Sequence, residues 1–226
     1  MATAADVLRR VRKTLIDSEG IRWQDAELMD HLNDGLSETV RLMPRSYSTS
    51  EPVKLEPGTL QSLPDKGITF IDVVRNTTSA GAGGRAVRMV DRGILDIENP
   101  DWHLMDPVSV VKHCMFDERN PQEFYVYPPS DGTGYVQLVM SIEPPVLDSE
   151  TDELPLESTY LPALVNYVLS RAYAKDADYA SNANLAGQYY QTYTAQLGLY
   201  KQGSQDVTAG RRRQSVTESV NHGPTE

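Results

Sequence analysis

His31, His103, His113 and His222 are the only imidazoles in the 226 residues, and Cys114 is the only thiol. Imidazole nitrogens and thiolates supply most zinc sites and much nucleophilic catalysis, but only where they converge. No HxxxH or HExxH pair occurs, so no single helix face presents two metal-ligating imidazoles. His113 and Cys114 are neighbours on a strand-like run, where successive side chains point to opposite faces, so they cannot act locally as a dyad. His31 falls on the polar side of a predicted helix and His222 in the tail. Gly81-Ala82-Gly83-Gly84-Arg85 is rich in glycine, but the GxxxxGK[ST] pattern is absent and the segment leads into a strand instead of a helix. A hairpin tip is the expectation there. Residues 143–157 hold six acids (Glu143, Asp148, Glu150, Asp152, Glu153, Glu157) and no base. Calcium would want those oxygens at the DxDxDG spacing, which is missing, so a solvated crossing is expected. No GxSxG elbow is present. No catalytic residue, metal ligand or cofactor is expected, and the chain does not read as an enzyme.

Tyrosine is the residue type in excess. There are 12 Tyr against 3 Phe and 2 Trp, and Tyr160, Tyr167, Tyr173, Tyr179, Tyr189, Tyr190, Tyr193 and Tyr200 all follow residue 159. Tyrosine is enriched at interfaces because one end is apolar while the other stays wet. Tyr189, Tyr193, Leu197 and Tyr200 are therefore candidate partner-binding residues; the alternative is that part of the set rims the chain's own core. Arg211-Arg212-Arg213 is a lone basic cluster that would clamp an acidic surface or touch DNA, or would have no role.

Periodicity predicts the elements that must position these residues. Val7, Leu8, Val11, Leu15 and Ile16 form one helical stripe in the first sixteen residues, with Glu19-Gly20 closing the helix. Leu28, Leu32, Leu36 and Val40 recur every four residues between Trp23 and Met43, and Pro44 stops that helix. Residues 44–66, with four prolines, read as an extended connection. Strand-like runs follow at 68–74, 85–90, 108–115, 123–127 and 135–142, the last apolar enough to be central. The segment 91–106 is a poorer strand with room for a short helix. Helical spacing returns at Leu161–Ala172 and from Asn182 to Lys201, and Gly203 onward lacks any apolar stripe.

The predicted fold is therefore α+β. The N- and C-terminal helices (1–45 and 156–202) form a helical bundle, and residues 46–155 a central antiparallel β insertion. Residues 203–226 form a tail that is disordered or ordered by a partner. A hydrophobic fraction of 39% is clear of disorder, and a net charge of −11 argues against broad phosphate binding and against anionic membranes. No run of 18 apolar residues exists, the N-terminal stripe lacks the unbroken core of a signal peptide, and one cysteine forms no internal disulfide. The expectation is an acidic protein of a reducing compartment.

Several short motifs carry a resemblance. They are Trp23-Gln24-Asp25-Ala26-Glu27-Leu28 with Leu32-Asn33-Asp34-Gly35-Leu36, Leu63-Pro64-Asp65, Ile71-Asp72-Val73-Val74-Arg75-Asn76, Tyr125-Val126-Tyr127-Pro128-Pro129, Pro144-Pro145, and the helix Tyr160–Tyr173 with Lys175-Asp176. Over residues 5–202 the chain resembles the head-to-tail adaptor (connector) proteins of tailed bacteriophages. That resemblance implies a virion neck protein, assembled in the host cytoplasm as a ring, commonly of twelve copies, beneath the portal. It implies partners in the portal protein, in tail nozzle or tail tube proteins and in further copies of itself, with genomic DNA passing unbound. Twelve copies at −11 would put about −130 on the ring, repelling phosphate along the channel. A head-completion stopper or tail terminator is the alternative, and a hydrolase a more distant one.

Overall fold

A computed structural model describes residues 2–117, 119–175 and 180–217, of which 180 and 203–217 are described by their backbone alone. The protein is mixed α+β, with five α-helices and two sheets among these residues. It divides into two compact units, residues 1–36 with 146–226 and residues 37–145.

In the first unit, α1 (Ala4–Leu15) buries Ala4, Val7, Leu8, Val11 and Leu15, the stripe expected from its spacing. Ile16, in the left-handed region at φ 56°, ends the helix where Gly20 was expected to. The segment beyond it is wound around two charged side chains. Arg12 donates to the carbonyls of Asp17 (3.0 Å) and Trp23 (3.1 Å) and to the Asp25 carboxylate, while the Asp17 carboxylate accepts the N–H groups of Ile21, Arg22 and Trp23. These bonds satisfy a turn that has little apolar burial of its own.

Helix α2 (Asp25–Leu42) buries Leu28, Leu32, Leu36 and Val40, as its four-residue repeat requires. Gly35 is needed for close approach: a Cβ there would lie 2.8 Å from the Tyr167 ring of α4 (Leu161–Lys175). Helix α4 lies against both α1 and α5 (Ala180–Thr217). The backbone of α5 runs on through Gly203 to Thr217, while residues 218–226 lie outside the description. No proline interrupts the continuation before Pro224, and Arg211–Arg213 are good helix formers, so a helix already nucleated on α4 can propagate.

The acid-rich segment is also packed, not a solvated crossing. Leu147, Leu154 and Leu156 are buried, and the carbonyls of Glu150 and Asp152 accept the Ala5 and Ala4 N–H groups at the start of α1. Asn33 clamps Leu147 through both its amide nitrogen (3.0 Å) and oxygen (2.9 Å). The leucines turn inward while the acids stay outside, which an inventory of charges could not reveal.

In the second unit, β1 (Ser48–Lys54), β8 (Tyr135–Ile142), β3 (Gly67–Thr77) and β4 (Gly83–Ala86) form one antiparallel sheet in that order. The other sheet runs β2 (Gly58–Ser62), β7 (Glu123–Ser130), β6 (His113–Phe116), β5 (Arg88–Met89), with β5 parallel to β6. Strand β8 is central, as its apolar run indicated. Strands β1 and β2 fall in the stretch expected to be a connection; Pro52 is tolerated because β1 is an edge. The expected strand 85–90 is two strands in two sheets, and the segment 91–106 holds α3 (Arg92–Glu98).

The chain crosses between the sheets at both edges, through Leu55–Pro57 on one side and Val87 on the other. Leu55 and Val87 both point into the core that Phe70, Val73, Cys114, Phe124, Val126, Val136, Leu138 and Met140 share. A buried amide pins each crossing. Gln61 bonds the backbone N–H and C=O of Glu56, at 2.7 and 2.9 Å. Asn76 donates to the carbonyls of Arg85 (3.0 Å) and Val111 (2.8 Å) and accepts the Val111 N–H at 2.9 Å. Gly84 belongs to the same corner, since a Cβ there would stand 2.6 Å from the Asn76 carbonyl.

Candidate interaction surfaces

The tyrosines of the first unit mostly face one another. Helix α4, the short 3-10 turn Ser158–Tyr160 leading into it, and α5 bring Tyr160 onto Tyr200 (ring centroids 5.3 Å apart), Tyr167 onto Tyr193 (5.2 Å) and Tyr173 onto Tyr189 (5.6 Å, planes nearly parallel). The Tyr200 hydroxyl donates to the Thr159 carbonyl, and Asn166 donates to Gln196 between the rungs. Aromatic pairs at these separations add about 1 kcal/mol each beyond burial. Burial raises the Tyr173 hydroxyl above its ordinary range, with Tyr189 adding to the effect.

Tyr193 and Leu197 are thus buried in the chain's own seam, while Tyr189 and Tyr200 keep part of their surface outside. Tyrosines recurring at one-face helical steps on two successive helical segments, 160/167/173 and 189/193/200, are the signal in the sequence that would have shown the ladder. Arg211, Arg212 and Arg213 fall on the part of α5 whose side chains lie outside the description.

The residues scanned for chemistry are dispersed. His113 stacks on Tyr127, and its Nδ1 is buried without a hydrogen-bond partner; burial, then Arg88, Lys112 and Arg85, pulls its pKa down. Cys114 points the other way into the core, and burial pushes its thiol up to about 12. His103 bonds the Thr59 hydroxyl and stacks on the buried Trp102, while half-buried His31 is held below its ordinary pKa mainly by desolvation. His222 lies outside the described residues. Among the described residues no group of three or more His, Cys, Asp or Glu could hold a metal, and no helix is long and apolar enough to cross a membrane. Gly81–Gly84 closes the β3–β4 hairpin, with the Thr77 hydroxyl donating to the Ala82 carbonyl.

Large apolar side chains stand uncovered in each unit. In the first, Ile16 is 92% exposed, Ile21 81% and Leu199 65%. In the second, α3 buries no residue at all and presents Ile94 and Ile97, with Leu104 close behind in sequence. One groove departs from the acidic character of the chain. It measures about 370 Å³ and is lined by Arg85, Ala86, Arg88, Lys112 and His113, with no acid among them. The parallel pairing of Arg88 with His113 brings its two sides together. Sequence reasoning missed it because 85–88 and 112–113 are contiguous only in the fold.

Uncovered apolar faces and unpaired cations are features of a chain built to be covered by other molecules. A family model described as SU10 adaptor protein matches residues 2–217, and the chain belongs to that family of phage structural adaptors. The resemblance drawn from its motifs agrees with this match. No curated protein matches the chain.

Proposed function

We propose that the protein forms a ring of about twelve copies beneath the portal, extends the DNA channel and gives the tail its docking platform. Membership of the adaptor family supports the position in the particle. The observation that carries the ring is the pair of dissimilar uncovered faces, Ile94 and Ile97 in one unit, Ile16 and Ile21 in the other. A closed ring needs two different surfaces on every copy, each complementary to the other.

In this reading the helices of 1–45 and 156–202 make one bundle, residues 46–155 are the insertion between them in sequence, and 203–226 dock a partner. Tyr189 and Tyr200 contact the neighbouring protein directly, Tyr193 and Leu197 hold α5 in place for that contact, and Arg211, Arg212 and Arg213 grip an acidic surface of the portal or tail. The excess of acids lets DNA pass without sticking.

Co-sedimentation of the full chain with the portal ring of the same virus, followed by imaging, tests the proposal. A ring of portal stoichiometry stacked on the portal is expected. No association with intact portal, or a six-fold ring on tail tube, overturns it in favour of a terminator.

A further inference from the structure

The −11 chain carries two patches of opposite sign that it does not neutralise itself. Arg85, Arg88 and Lys112 are exposed around the groove at the β4–β5 corner, and none forms an ion pair with a described residue. Asp148, Glu150, Glu153 and Glu157 are exposed and form no ion pair among the described residues, although Glu150 shares a groove with Arg9, Arg12 and Lys13. The backbone that bears them is fixed. Ala4 and Ala5 donate to Asp152 and Glu150 (3.0 and 2.8 Å), Leu154 donates to Ala2, and the Asp152 carboxylate holds the N–H groups of Asp148 and Ser149. Carboxylates on a pre-ordered segment lose little freedom on binding, which favours them as ligands.

We propose that the groove of Arg85, Arg88 and Lys112 on one copy receives the carboxylates of the 148–157 segment of a second copy of this chain. The proposal rests on the ring reading and adds a charged contact to the apolar faces that carry it. Groove and segment are different surfaces, so the contact is head-to-tail and closes by rotation. The edge position of β4 and β5 leaves the groove open to a neighbour, with Met89 half exposed beside it and Val146 72% exposed beside the acids. Those apolar neighbours exclude water around the charges and strengthen them. Nucleic acid is the weaker candidate, because the net charge of −11 repels a phosphodiester backbone from every other direction.

The test uses the full chain assembled on the portal, with ¹⁵N-labelled and unlabelled copies mixed and coupled by a zero-length carbodiimide. An amide joining Lys112 of one isotope to Glu150 or Glu153 of the other is expected. Arg85→Glu with Arg88→Glu should weaken assembly by about 100-fold or more, since like charges then face each other. Adding Glu150→Arg and Glu153→Arg to the same chain should restore it. Both arginines are exposed, and unchanged tryptophan fluorescence confirms folding; Lys112→Ala, with a smaller loss, serves as the milder variant. Assembly that ignores the reversals, or coupling of Lys112 to other acids, overturns the contact and leaves the ring reading standing. Protection of Lys112 by a short oligodeoxynucleotide, without the inter-copy amide, reassigns the groove to a phosphodiester. Failure of the unaltered chain to assemble on the portal overturns the ring and the contact together.

Discussion

Removing the Asn76 side chain should open the corner where β4 crosses to β5. Asn76→Ala leaves three backbone groups without their partner: the N–H and C=O of Val111 and the C=O of Arg85. Arg85 is exposed, so water can take its carbonyl, whereas Val111 is fully buried. Two buried orphans at about 1–3 kcal/mol each give a loss near 3 kcal/mol, a large part of a typical domain's stability. Asn76→Asp should be worse at neutral pH, because an ionised carboxylate keeps the Val111 N–H but faces two carbonyl oxygens it can only repel. Such a carboxyl has a folded pKa raised above the unfolded value near 3.9. Its handicap is therefore absent below that value and grows as pH rises through the range up to the folded pKa. The assay is urea unfolding in a Trp23→Phe background, where Trp102 is the one remaining tryptophan and reports on residues 37–145. An Asn76→Ala loss under about 1 kcal/mol would refute the reasoning. So would an aspartate variant that matches the alanine variant at pH 7, or a gap between them that does not narrow toward pH 4.

Ile16 at φ 56° and 92% exposed holds strain without burial, so Ile16→Gly should stabilise the free chain by about 0.5–1 kcal/mol in a thermal melt while weakening ring assembly. Gly134→Ala should cost about 3 kcal/mol or more by the same urea assay, since the new methyl would lie 2.1 Å from the Ser109 carbonyl and Val108 is tied to Pro129 and Asp131. The N–H groups of Trp23, Ile21 and Arg22 hold the Asp17 carboxyl below its ordinary pKa, so its contribution is present above about 3.8 and fades as pH falls through the folded value; Asp17→Asn should flatten that acid limb, read by Trp23 in a Trp102→Phe chain. Cys114, with its thiol pushed up to about 12, should resist a thiol reagent at pH 8 until denaturant exposes it.

How much of this was legible in the sequence depends on what each residue answers to. Leu28, Leu32, Leu36 and Val40 answer to one buried face, and their spacing alone located α2. The 135–142 run answered to a central position and gave β8 at its observed bounds. Strands β1 and β2 were hidden because their serines, threonines and prolines suit an edge as well as a loop. The Val87 crossing was hidden for a related reason: β4 and β5 form one continuous run of residues, and only pairing partners divide it. Interface and core-rim readings of the tyrosines both stayed open, because composition cannot say whether a ring has a mate across a helical seam. The basic groove was invisible, since it depends on the parallel register that sets Arg88 beside His113.

At each margin of the two-sheet unit the chain turns from one sheet into the other, at Leu55 and at Val87, which shortens the edge a neighbouring strand could pair with. An open-margined sheet held at high local concentration is a template on which a second copy can add a strand, and such growth has no natural end. Here those turns limit main-chain pairing with an identical neighbour. In the proposed ring, copies would then recognise one another by side chains, whose shape and sign can stop assembly after a fixed number of steps.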